Sequence, residues 1–332
     1  MSNSRHKYLI NFYKNFIKDP IIFIDVGSDG GVDPDLKNIA SQCVVHAIEP
    51  REDSYNNLIN DTRIVAPYQS IYYHNTGLAD KNGGHTLYVT NIPQASSLLE
   101  PNETLVNRWR GDDGFKVIKK SKIKCITLSE FCNTSNINYI DFIKLDTQGS
   151  ELSILLHNPS LLSNLSVIKS EIEFVQLYKN QPVFDDVIRE LSKYGFRYVG
   201  HLDIKKIGPN KGKNIWADVI FVQTKFKSSQ SCIRAAIILS QLGFIEDAVW
   251  LMEDYQVEEA IIDNFREAII LDNGLLNSAL LRLRNKYRDF NQKRILNGKK
   301  VLYLNSIRKI IMKSSSIARF FSVISSGKSK RY

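Results

Sequence analysis

The sequence predicts an α/β fold built on a mostly parallel, seven-stranded sheet with an antiparallel terminal strand, followed by an all-α C-terminal extension. Between residues 21 and 194, short apolar segments rich in β-branched residues alternate with amphipathic segments. This alternation is typical of repeated β-α units in a parallel sheet. Residues 196–202 and 215–223 are predicted as two strands without a helix between them, so they must pair antiparallel. Beyond residue 225 only helical patterns follow.

The chain begins with an amphipathic helix over residues 5–18, which ends at Asp19 and Pro20 because proline cannot continue a helix. The predicted strands are Ile21–Val26, Cys43–Ile48, Ser70–Leu78, His85–Thr90, Lys122–Thr127, Tyr139–Leu145, Val167–Phe174, Phe196–Leu202 and Ile215–Gln223. The predicted helices between them are Leu36–Gln42, Ser54–Asn60, Leu128–Cys132, Glu151–Leu156 and Phe184–Tyr194. Residues 91–115 carry two prolines and two glycines, and we expect an irregular loop that acts as a lid.

Helical patterns continue over residues 232–253, 257–271 and 275–290. We therefore predict three parts of the chain. They are an N-terminal helix at 1–20, an α/β domain at 21–224 and a helical C-terminal module with a basic tail at 225–332.

Composition excludes several classes of protein. Hydrophobic residues make up 43% of the chain and charged residues 24%, which excludes a wholly disordered or collagen-like chain. No apolar run reaches the roughly 18 residues of a transmembrane helix, and the N-terminus lacks the apolar core of a signal peptide. The four cysteines are scattered, so we expect reduced, buried thiols and no zinc site. These features together predict a cytoplasmic protein.

The net charge of +9 is unevenly distributed. Residues 282–332 hold 15 Lys and Arg and one acidic residue, whereas the rest of the chain holds 29 Lys and Arg and 34 Asp and Glu. An electrostatic partner is therefore expected for the tail and not for the body. The tail has three interpretations: a solvated helix, a peripheral contact with the anionic inner face of a membrane, or a nucleic-acid contact. The last is disfavoured, because the tail has few aromatic residues for base stacking and no base-reading motif.

A glycine-rich turn follows the first predicted strand and contains Asp25, Gly27, Ser28 and Gly30. Glycines here would let a ligand approach the backbone, and the following helix would present free N–H groups to it. The spacing is GxxGG and not GxGxxG, so the dinucleotide-binding fingerprint is not met. The alternative is a turn with no ligand.

Two acidic residues follow the next strands. Glu49 ends the second strand, 22 residues after Gly27, where a carboxylate can accept hydrogen bonds from both hydroxyls of a ribose. Asp80 follows the third strand and could accept a bond from an adenine amino group, or it could simply form the turn before Asn82 and Gly83. The glycine turn and the spaced acid together predict a nucleoside site.

A third motif, IKLDTQGSEL, lies over residues 143–152. Its strand would deliver Asp146, with Gln148 close behind, to the carboxyl edge of the sheet, where ligands bind in open α/β folds.

The ordered set IDVGSDGG, AIEP, ASSLLEP, IKLDTQGSEL and EIEFVQLY resembles the FkbM-type family of S-adenosylmethionine-dependent methyltransferases over about residues 21–223. The resemblance implies a Rossmann-like class I methyltransferase domain with the donor over the carboxyl ends of the first strands. It also implies O-methylation of a sugar or of a polyketide-type molecule. Many members carry Asp-Val-Gly-Ala-Asn after the first strand, where this chain has Ser28 and Asp29.

A hydroxyl is a poor nucleophile at neutral pH, so transfer to oxygen needs a general base or a metal ion. Asp146 is the first candidate, either as base or as a Mg²⁺ ligand. Magnesium needs further oxygen ligands, for which Glu171 and Glu173 are the nearest candidates. His201 is a second catalytic candidate, although a histidine at a strand end also serves structural hydrogen bonding.

The acceptor is predicted to contact Ser96 and Ser97 in the lid, together with Glu173 and Tyr178. A glycan or glycolipid sugar is the favoured acceptor. The alternatives are a polyketide-type acceptor and a methyltransferase-like interaction protein that is tethered through its basic tail.

Overall fold

The computed structural model describes residues 7–60, 67–110, 113–207 and 212–272, which all belong to one compact unit that ends at Asn273. Within these residues the strands are β1 (Ile21–Val26), β2 (Cys43–Ile48), β3 (Ser70–His74), β4 (Gly77–Leu78), β5 (Gly83–Thr90), β6 (Val117–Ile126), β7 (Ile140–Leu145), β8 (Leu165–Glu173), β9 (Phe196–Ile207) and β10 (Lys213–Gln223). The predicted helix over residues 275–290 and the basic segment 282–332 lie outside the described residues.

Seven of these strands form the main sheet, in the order β3-β2-β1-β7-β8-β10-β9. Strands β3, β2, β1, β7 and β8 pair in parallel, and β10 pairs antiparallel with both β8 and β9. The prediction of a mostly parallel seven-stranded sheet with an antiparallel terminal strand is confirmed. Because β1 is central and β7 crosses to its other side, the carboxyl ends of β1, β2 and β7 meet at one edge.

A second, smaller sheet has the order β4-β6-β5. We predicted one strand over residues 70–78, but the chain breaks after His74, and β4 leaves the main sheet to pair with β6. The predicted strand at 85–90 is confirmed as β5, which pairs antiparallel with β6. This small sheet stands beside the carboxyl edge of the main sheet and forms a wall of the site described below.

The α-helices are α1 (Lys7–Phe16), α2 (Glu52–Ile59), α3 (Glu103–Arg110), α4 (Leu128–Thr134), α5 (Glu151–Leu156), α6 (Pro159–Leu162), α7 (Phe184–Ser192), α8 (Ser229–Gln241), α9 (Ile245–Asp254) and α10 (Glu259–Asp272). The predicted helix near residues 36–42 is a 3-10 helix over Pro34–Gln42 with a kink at Ile39. The expectation of an irregular segment at 91–115 is wrong in part, because it contains a 3-10 turn at Pro93–Ala95 and helix α3.

Two apolar clusters cover the two faces of the main sheet. Helices α1, α8, α9 and α10 pack on one face around a core that includes Phe23, Phe142 and Phe265. Helices α4, α5, α6 and α7 cover the other face. Strand residues that point to both faces are therefore buried, which explains their nearly continuous apolar sequences.

Helix α8 is also joined to the sheet by a buried ion pair. The Arg234 Nε lies 2.7 Å from Asp141 Oδ1 on β7, and the two side chains are 5% and 1% exposed. The main-chain N–H of Ile22 donates to the other oxygen of Asp141 at 3.0 Å. No helix among the described residues is long and apolar enough to cross a membrane.

Candidate functional site

The site begins at the turn after β1. Gly27 has φ of +80°, and a Cβ added there would lie 2.2 Å from the Asp146 carbonyl oxygen. The main-chain N–H groups of Gly27 and Ser28 donate to the Ile48 carbonyl at 3.0 and 3.2 Å. Only glycine fits here, since both the backbone conformation and the close approach exclude a side chain. The contacts hold the ends of β1, β2 and β7 together.

Glu49 is buried at the end of β2 and is held by Arg51. The main-chain N–H of Arg51 donates to Glu49 Oε1 at 2.9 Å, and the Arg51 Nε lies 3.6 Å from the same oxygen. Burial raises the pKa of Glu49, and the Arg51 contacts oppose that shift. Arg51 also pairs with Asp29 at 2.7 Å, so it joins the glycine turn to the end of β2.

A cavity of about 140 Å³ opens between this edge of the sheet and the small sheet. Six residues that the sequence predicted for the site line it: Gly27, Glu49, Ser96, Ser97, Asp146 and Gln148. Its remaining walls are largely apolar, with Leu78 and Leu87 from the small sheet and Ile48 from the main sheet. A largely apolar pocket with a few carboxylates, among them Glu49, suits a flat, partly apolar ligand that also carries hydroxyl groups.

Charged side chains cross the sheet beside this cavity. Lys144 on β7 pairs in register with Asp25 on β1, and its ammonium donates to the Gly27 carbonyl at 3.0 Å. The same ammonium lies 3.6 Å from Asp25 and 3.5 Å from Asp146. Burial alone would lower the pKa of Lys144, but the carboxylates of Asp25 and Asp146 outweigh it, and the pKa is raised. Lys144 therefore stays charged beneath the glycine turn.

Lys169 on β8 continues this row. Its ammonium lies 2.8 Å from Asp33, 2.7 Å from Asp35 and 3.4 Å from Asp218. Sequence reasoning did not select Lys144 or Lys169. A signal was present, because each is a lysine within a strand predicted to be buried, and a lysine is buried only when it is paired.

Gln148 connects the elements around Asp146. Its φ is +59°, and its amide nitrogen donates to Asp146 Oδ1 at 2.8 Å and to Glu171 Oε1 at 2.6 Å. Its side-chain oxygen lies 2.9 Å from the Tyr178 hydroxyl, and its carbonyl accepts a bond from the Ser97 hydroxyl at 2.7 Å. Gln148 thus fixes two carboxylates with one amide group.

Carboxylates are concentrated behind Gln148. Glu151 accepts bonds from the main-chain N–H groups of Thr147 at 2.7 Å and Gly149 at 2.9 Å, and burial raises its pKa to about 6. Burial also raises the pKa values of Glu171 and Glu173 well above their usual range, and neighbouring carboxylates raise them further. This end of the sheet therefore carries a strongly negative potential.

A second cavity, of about 340 Å³, lies on the other side of the glycine turn. It shares Gly27, Asp29 and Asp146 with the first cavity. Its other charged lining residues are Asp33, Lys144, Glu171, Asp203, Lys205 and Asp218, with Trp216 as its one aromatic side chain among the residues described. The predicted ligand residue Gly30 lines this cavity and not the first.

Several predicted residues lie apart from both cavities. Asp80 is exposed beyond β4, and His201 is exposed on β9 with its Nδ1 2.6 Å from the Tyr198 hydroxyl. Tyr178 is fully buried, with its hydroxyl 2.9 Å from the Ala95 carbonyl. The side chain of Trp109 lies outside the described residues. The roles predicted for Asp80 and His201 stay predictions.

Three further predicted residues are buried without lining a cavity. Asp25 accepts a bond from the Asp33 N–H at 2.8 Å, and Ser28 donates its hydroxyl to the Asp25 carbonyl at 3.0 Å. Glu173 is 2% exposed. Tyr178, which follows β8, and Ser97, in the 91–115 segment, both bond to Gln148.

The residues around Asp146 do not fit magnesium. Across the part of the chain that the structure describes, no group of three or more His, Cys, Asp or Glu side chains could hold a metal ion. The Gln148 amide bonds to Asp146 and Glu171, and the Lys144 ammonium faces Asp146, so N–H donors occupy the oxygens that a cation would need. Mg²⁺ requires several free oxygen ligands, and we derive no step through it.

The family model described as "Methyltransferase FkbM domain" matches residues 29–198. No curated protein matches the chain. Among solved structures, fibrillarin of Methanococcus jannaschii, a pre-rRNA processing protein, is similar with 15% identity and a TM-score of 0.36, covering 63% of this chain and 68% of that one. The magnesium protoporphyrin IX methyltransferase of Synechocystis, solved with bound S-adenosylmethionine, is 10% identical with a TM-score of 0.34, covering 67% and 79%. TrmK of M. capricolum, solved with S-adenosylhomocysteine, is 11% identical with a TM-score of 0.32, covering 79% and 97%.

Proposed function

Because the chain is a methyltransferase and belongs to the FkbM family, we propose that it transfers a methyl group from S-adenosylmethionine to a hydroxyl group of a sugar in a glycan or glycolipid. The observation that carries the proposal is the pair of cavities that share Gly27 and Asp146. One suits the nucleoside of the donor and the other suits a polar acceptor, and a methyl group can pass between them only at the shared wall.

The first cavity supports binding of the donor. S-adenosylmethionine supplies a methyl group on a positively charged sulfur. The buried carboxylate of Glu49 can accept hydrogen bonds from the two ribose hydroxyls, and Arg51 orients it through the main-chain N–H. The apolar walls can enclose the base. Asp146 accepts a hydrogen bond from Gln148 and faces Lys144, and its carboxyl group in the shared wall suits the positive charge near sulfur.

The second cavity supports a hydroxyl-rich acceptor. Its lining offers carboxylates and lysines as hydrogen-bonding groups, and the half-buried Trp216 adds one apolar surface. A sugar combines many hydroxyl groups with an apolar ring face, and this lining matches both properties. A polyketide-type acceptor would favour a more apolar cavity.

Donor binding tests the first half of the proposal. Calorimetry with S-adenosylmethionine should give binding to the wild-type protein and about tenfold weaker binding to Glu49→Gln, since a charged hydrogen-bond acceptor is lost. Glu52→Gln, an exposed acid on α2, is the matched control and should bind as the wild type does. A folded wild-type protein that binds no donor would refute the proposal and favour the interaction-protein alternative.

Acceptor chemistry tests the second half. The wild-type protein is incubated with methyl-labelled S-adenosylmethionine and a panel of neutral sugars, amino sugars and hydroxylated non-sugar compounds. Label should enter sugars through an ether bond that resists alkaline hydrolysis. Label found only on non-sugar hydroxyls would refute a sugar acceptor and favour a polyketide-type acceptor.

We also propose a cytoplasmic location with peripheral membrane contact through residues 282–332. All four cysteines are buried and unpaired, which supports a reducing compartment. Co-sedimentation with vesicles containing phosphatidylglycerol should be strong for the full chain and weak for a chain ending at Asn297, with little binding of either to phosphatidylcholine vesicles. Equal sedimentation of the two chains would remove the membrane proposal.

A further inference from the structure

Glu171 differs in its partners from the four acids of the site that face a cation. Asp25 and Asp146 face Lys144, Glu49 faces Arg51, and Asp218 faces Lys169. The carboxyl group of Glu171 has no ion pair among the described residues, and its Oε1 accepts one hydrogen bond, from Gln148 at 2.6 Å. Its second oxygen accepts no hydrogen bond within the described chain, although Glu171 lines the second cavity. A carboxylate without a cation, with one free oxygen at a cavity, is available to take a proton.

Glu171 lies at the second cavity and not at the first. Asp146 belongs to the wall that both cavities share, whereas Glu171 lines the second cavity alone. The Gln148 amide fixes the two carboxylates relative to each other. An in-line displacement requires the acceptor oxygen to approach the methyl carbon from the side opposite to sulfur. With the donor in the first cavity, that side is the second cavity.

The proton affinity of Glu171 suits this task. Burial comes first among the causes that raise its pKa, followed by the carboxylates of Asp146, Glu173 and Glu151. The other charged groups that face it or share its cavity are Asp29 and Asp33 in the segment after β1, Lys144 on β7, Lys169 on β8, Asp203 and Lys205 on β9 and Asp218 on β10. A carboxylate with a raised pKa is a stronger base than an exposed one.

Building on the proposed function, we propose that Glu171 is the general base that removes the proton from the acceptor hydroxyl in the second cavity, and that Gln148 is its positioning residue. In the step, the acceptor O–H proton moves to Glu171 and the acceptor oxygen forms a bond to the methyl carbon. The carbon–sulfur bond breaks, and its electron pair stays on sulfur, which becomes neutral. The proton on Glu171 then leaves to solvent through the open cavity.

One consequence can be measured without turnover. The positive charge of the donor beside Asp146 lowers the cost of a second negative charge nearby, so donor binding should lower the pKa of Glu171 and release a proton from it. Calorimetry of S-adenosylhomocysteine, which lacks that charge, and S-adenosylmethionine in two buffers of different ionisation enthalpy counts the protons. The wild type should release a proton with S-adenosylmethionine only. Glu171→Gln should bind S-adenosylmethionine without releasing one.

Single-turnover methyl transfer supplies the second measurement. Glu171→Gln should transfer about 100-fold or more slowly, the usual loss for a missing general base, while binding the donor within about twofold of the wild type. The matched control is Glu246→Gln, an exposed acid on α9, which should transfer as the wild type does. Transfer by Glu171→Gln within about threefold of the wild type would overturn the assignment.

Glu173→Gln and Gln148→Leu complete the test. Glu173→Gln should still release the proton on donor binding, and loss of release in this variant but not in Glu171→Gln would move the base to Glu173. Removing the Gln148 hydrogen bond, which lowers the pKa of Glu171, should shift the acidic limb of the rate profile to higher pH. An unshifted acidic limb of the pH–rate profile would show a merely structural role for Gln148.

The outcomes distinguish failure of this inference from failure of the proposed function. If the wild type transfers methyl groups and Glu171→Gln is unimpaired, only this inference fails. If the wild type binds no donor, the proposed function fails with it.

Discussion

Asp25 on β1 and Asp141 on β7 are both wholly buried aspartates of one sheet, at 0% and 1% exposure, but they lie at opposite ends of their strands. Both oxygens of Asp141 are bonded, to Arg234 and to the Ile22 N–H. One oxygen of Asp25 is bonded to the Asp33 N–H, and the other has no hydrogen-bond partner among the described residues and lies 3.6 Å from Lys144. Asp141, near the amino ends of the parallel strands, has both oxygens hydrogen-bonded, and Asp25, near their carboxyl ends, does not.

The difference distinguishes a buried carboxylate that stabilises the fold from those at the candidate site. For Asp141 the fold itself supplies both hydrogen-bond partners, so this charge pair stabilises packing of α8 on the sheet. At the carboxyl end, acids outnumber their cations, and burial raises the pKa values of Asp25, Glu49, Glu171 and Glu173. A cationic ligand would relieve that repulsion, as expected where binding free energy has to be gained.

The largest loss of stability is expected from breaking the buried ion pair between Arg234 and Asp141. Arg234→Met leaves the Asp141 charge buried without its partner, which should lower the free energy of unfolding by about 3–5 kcal/mol. Urea denaturation measures it. Arg189→Met removes an arginine that pairs with Asp186 at the surface and should leave stability nearly unchanged. Equal losses in the free energy of unfolding of the two variants would show that the buried ion pair contributes no more than the surface pair.

A smaller loss of stability is expected from a substitution in the glycine turn after β1. Gly27→Ala must place a Cβ 2.2 Å from the Asp146 carbonyl oxygen at a φ of +80°, and we expect a loss of roughly 2–4 kcal/mol together with loss of donor binding. Gly243→Ala has a similar φ of +91° and open space around the Cβ, so it carries the conformational cost alone. A thermal-unfolding difference of zero between the variants would contradict the close approach.

The smallest effect concerns pH. The pKa of Glu151 is raised to about 6 in the fold, above its value of about 4.3 in an unfolded chain. Because the folded protein binds this proton more tightly than the unfolded chain does, the free energy of unfolding should fall as pH rises through the window from about 4.3 to 6. The full loss would be about 2 kcal/mol. Subtracting the pH curve of Glu151→Gln should isolate this loss, and Glu246→Gln reports the effect of the substitution itself. A difference curve that is flat across this window would refute the raised value.

Much of the fold could be predicted from the sequence because its strands are buried on both faces. Continuous apolar runs such as Ile21–Val26 and Ile140–Leu145 leave little choice of structure, and the missing helix before β10 predicted the antiparallel pairing. The break between β3 and β4 was not predicted, because no proline or glycine marks it before Gly77. Helix α3 was missed because prolines and glycines flank it closely.

The candidate site was predicted through its strand ends and missed in its interior. Gly27, Glu49 and Asp146 follow directly from their place after a strand. The partners of those residues, such as Lys144 and Arg51, depend on which strands are neighbours and on side-chain direction. Contact of Tyr178 and Ser97 with the acceptor stays a prediction. Both bond to Gln148, an arrangement that depends on the three-dimensional position of the 91–115 segment.

The β9–β10 hairpin has a consequence for how acceptor preference could change. Asp203, Lys205, Trp216 and Asp218 all belong to this hairpin and line the second cavity, and its pairing contains register shifts on both sides of Trp216. Such irregularities redirect side chains without disturbing the strands beneath. The hairpin lies at one edge of the sheet, away from β2 and the first cavity. On the proposed assignment of the second cavity to the acceptor, exchange of this one segment between relatives would give enzymes that keep one methyl donor and accept different molecules.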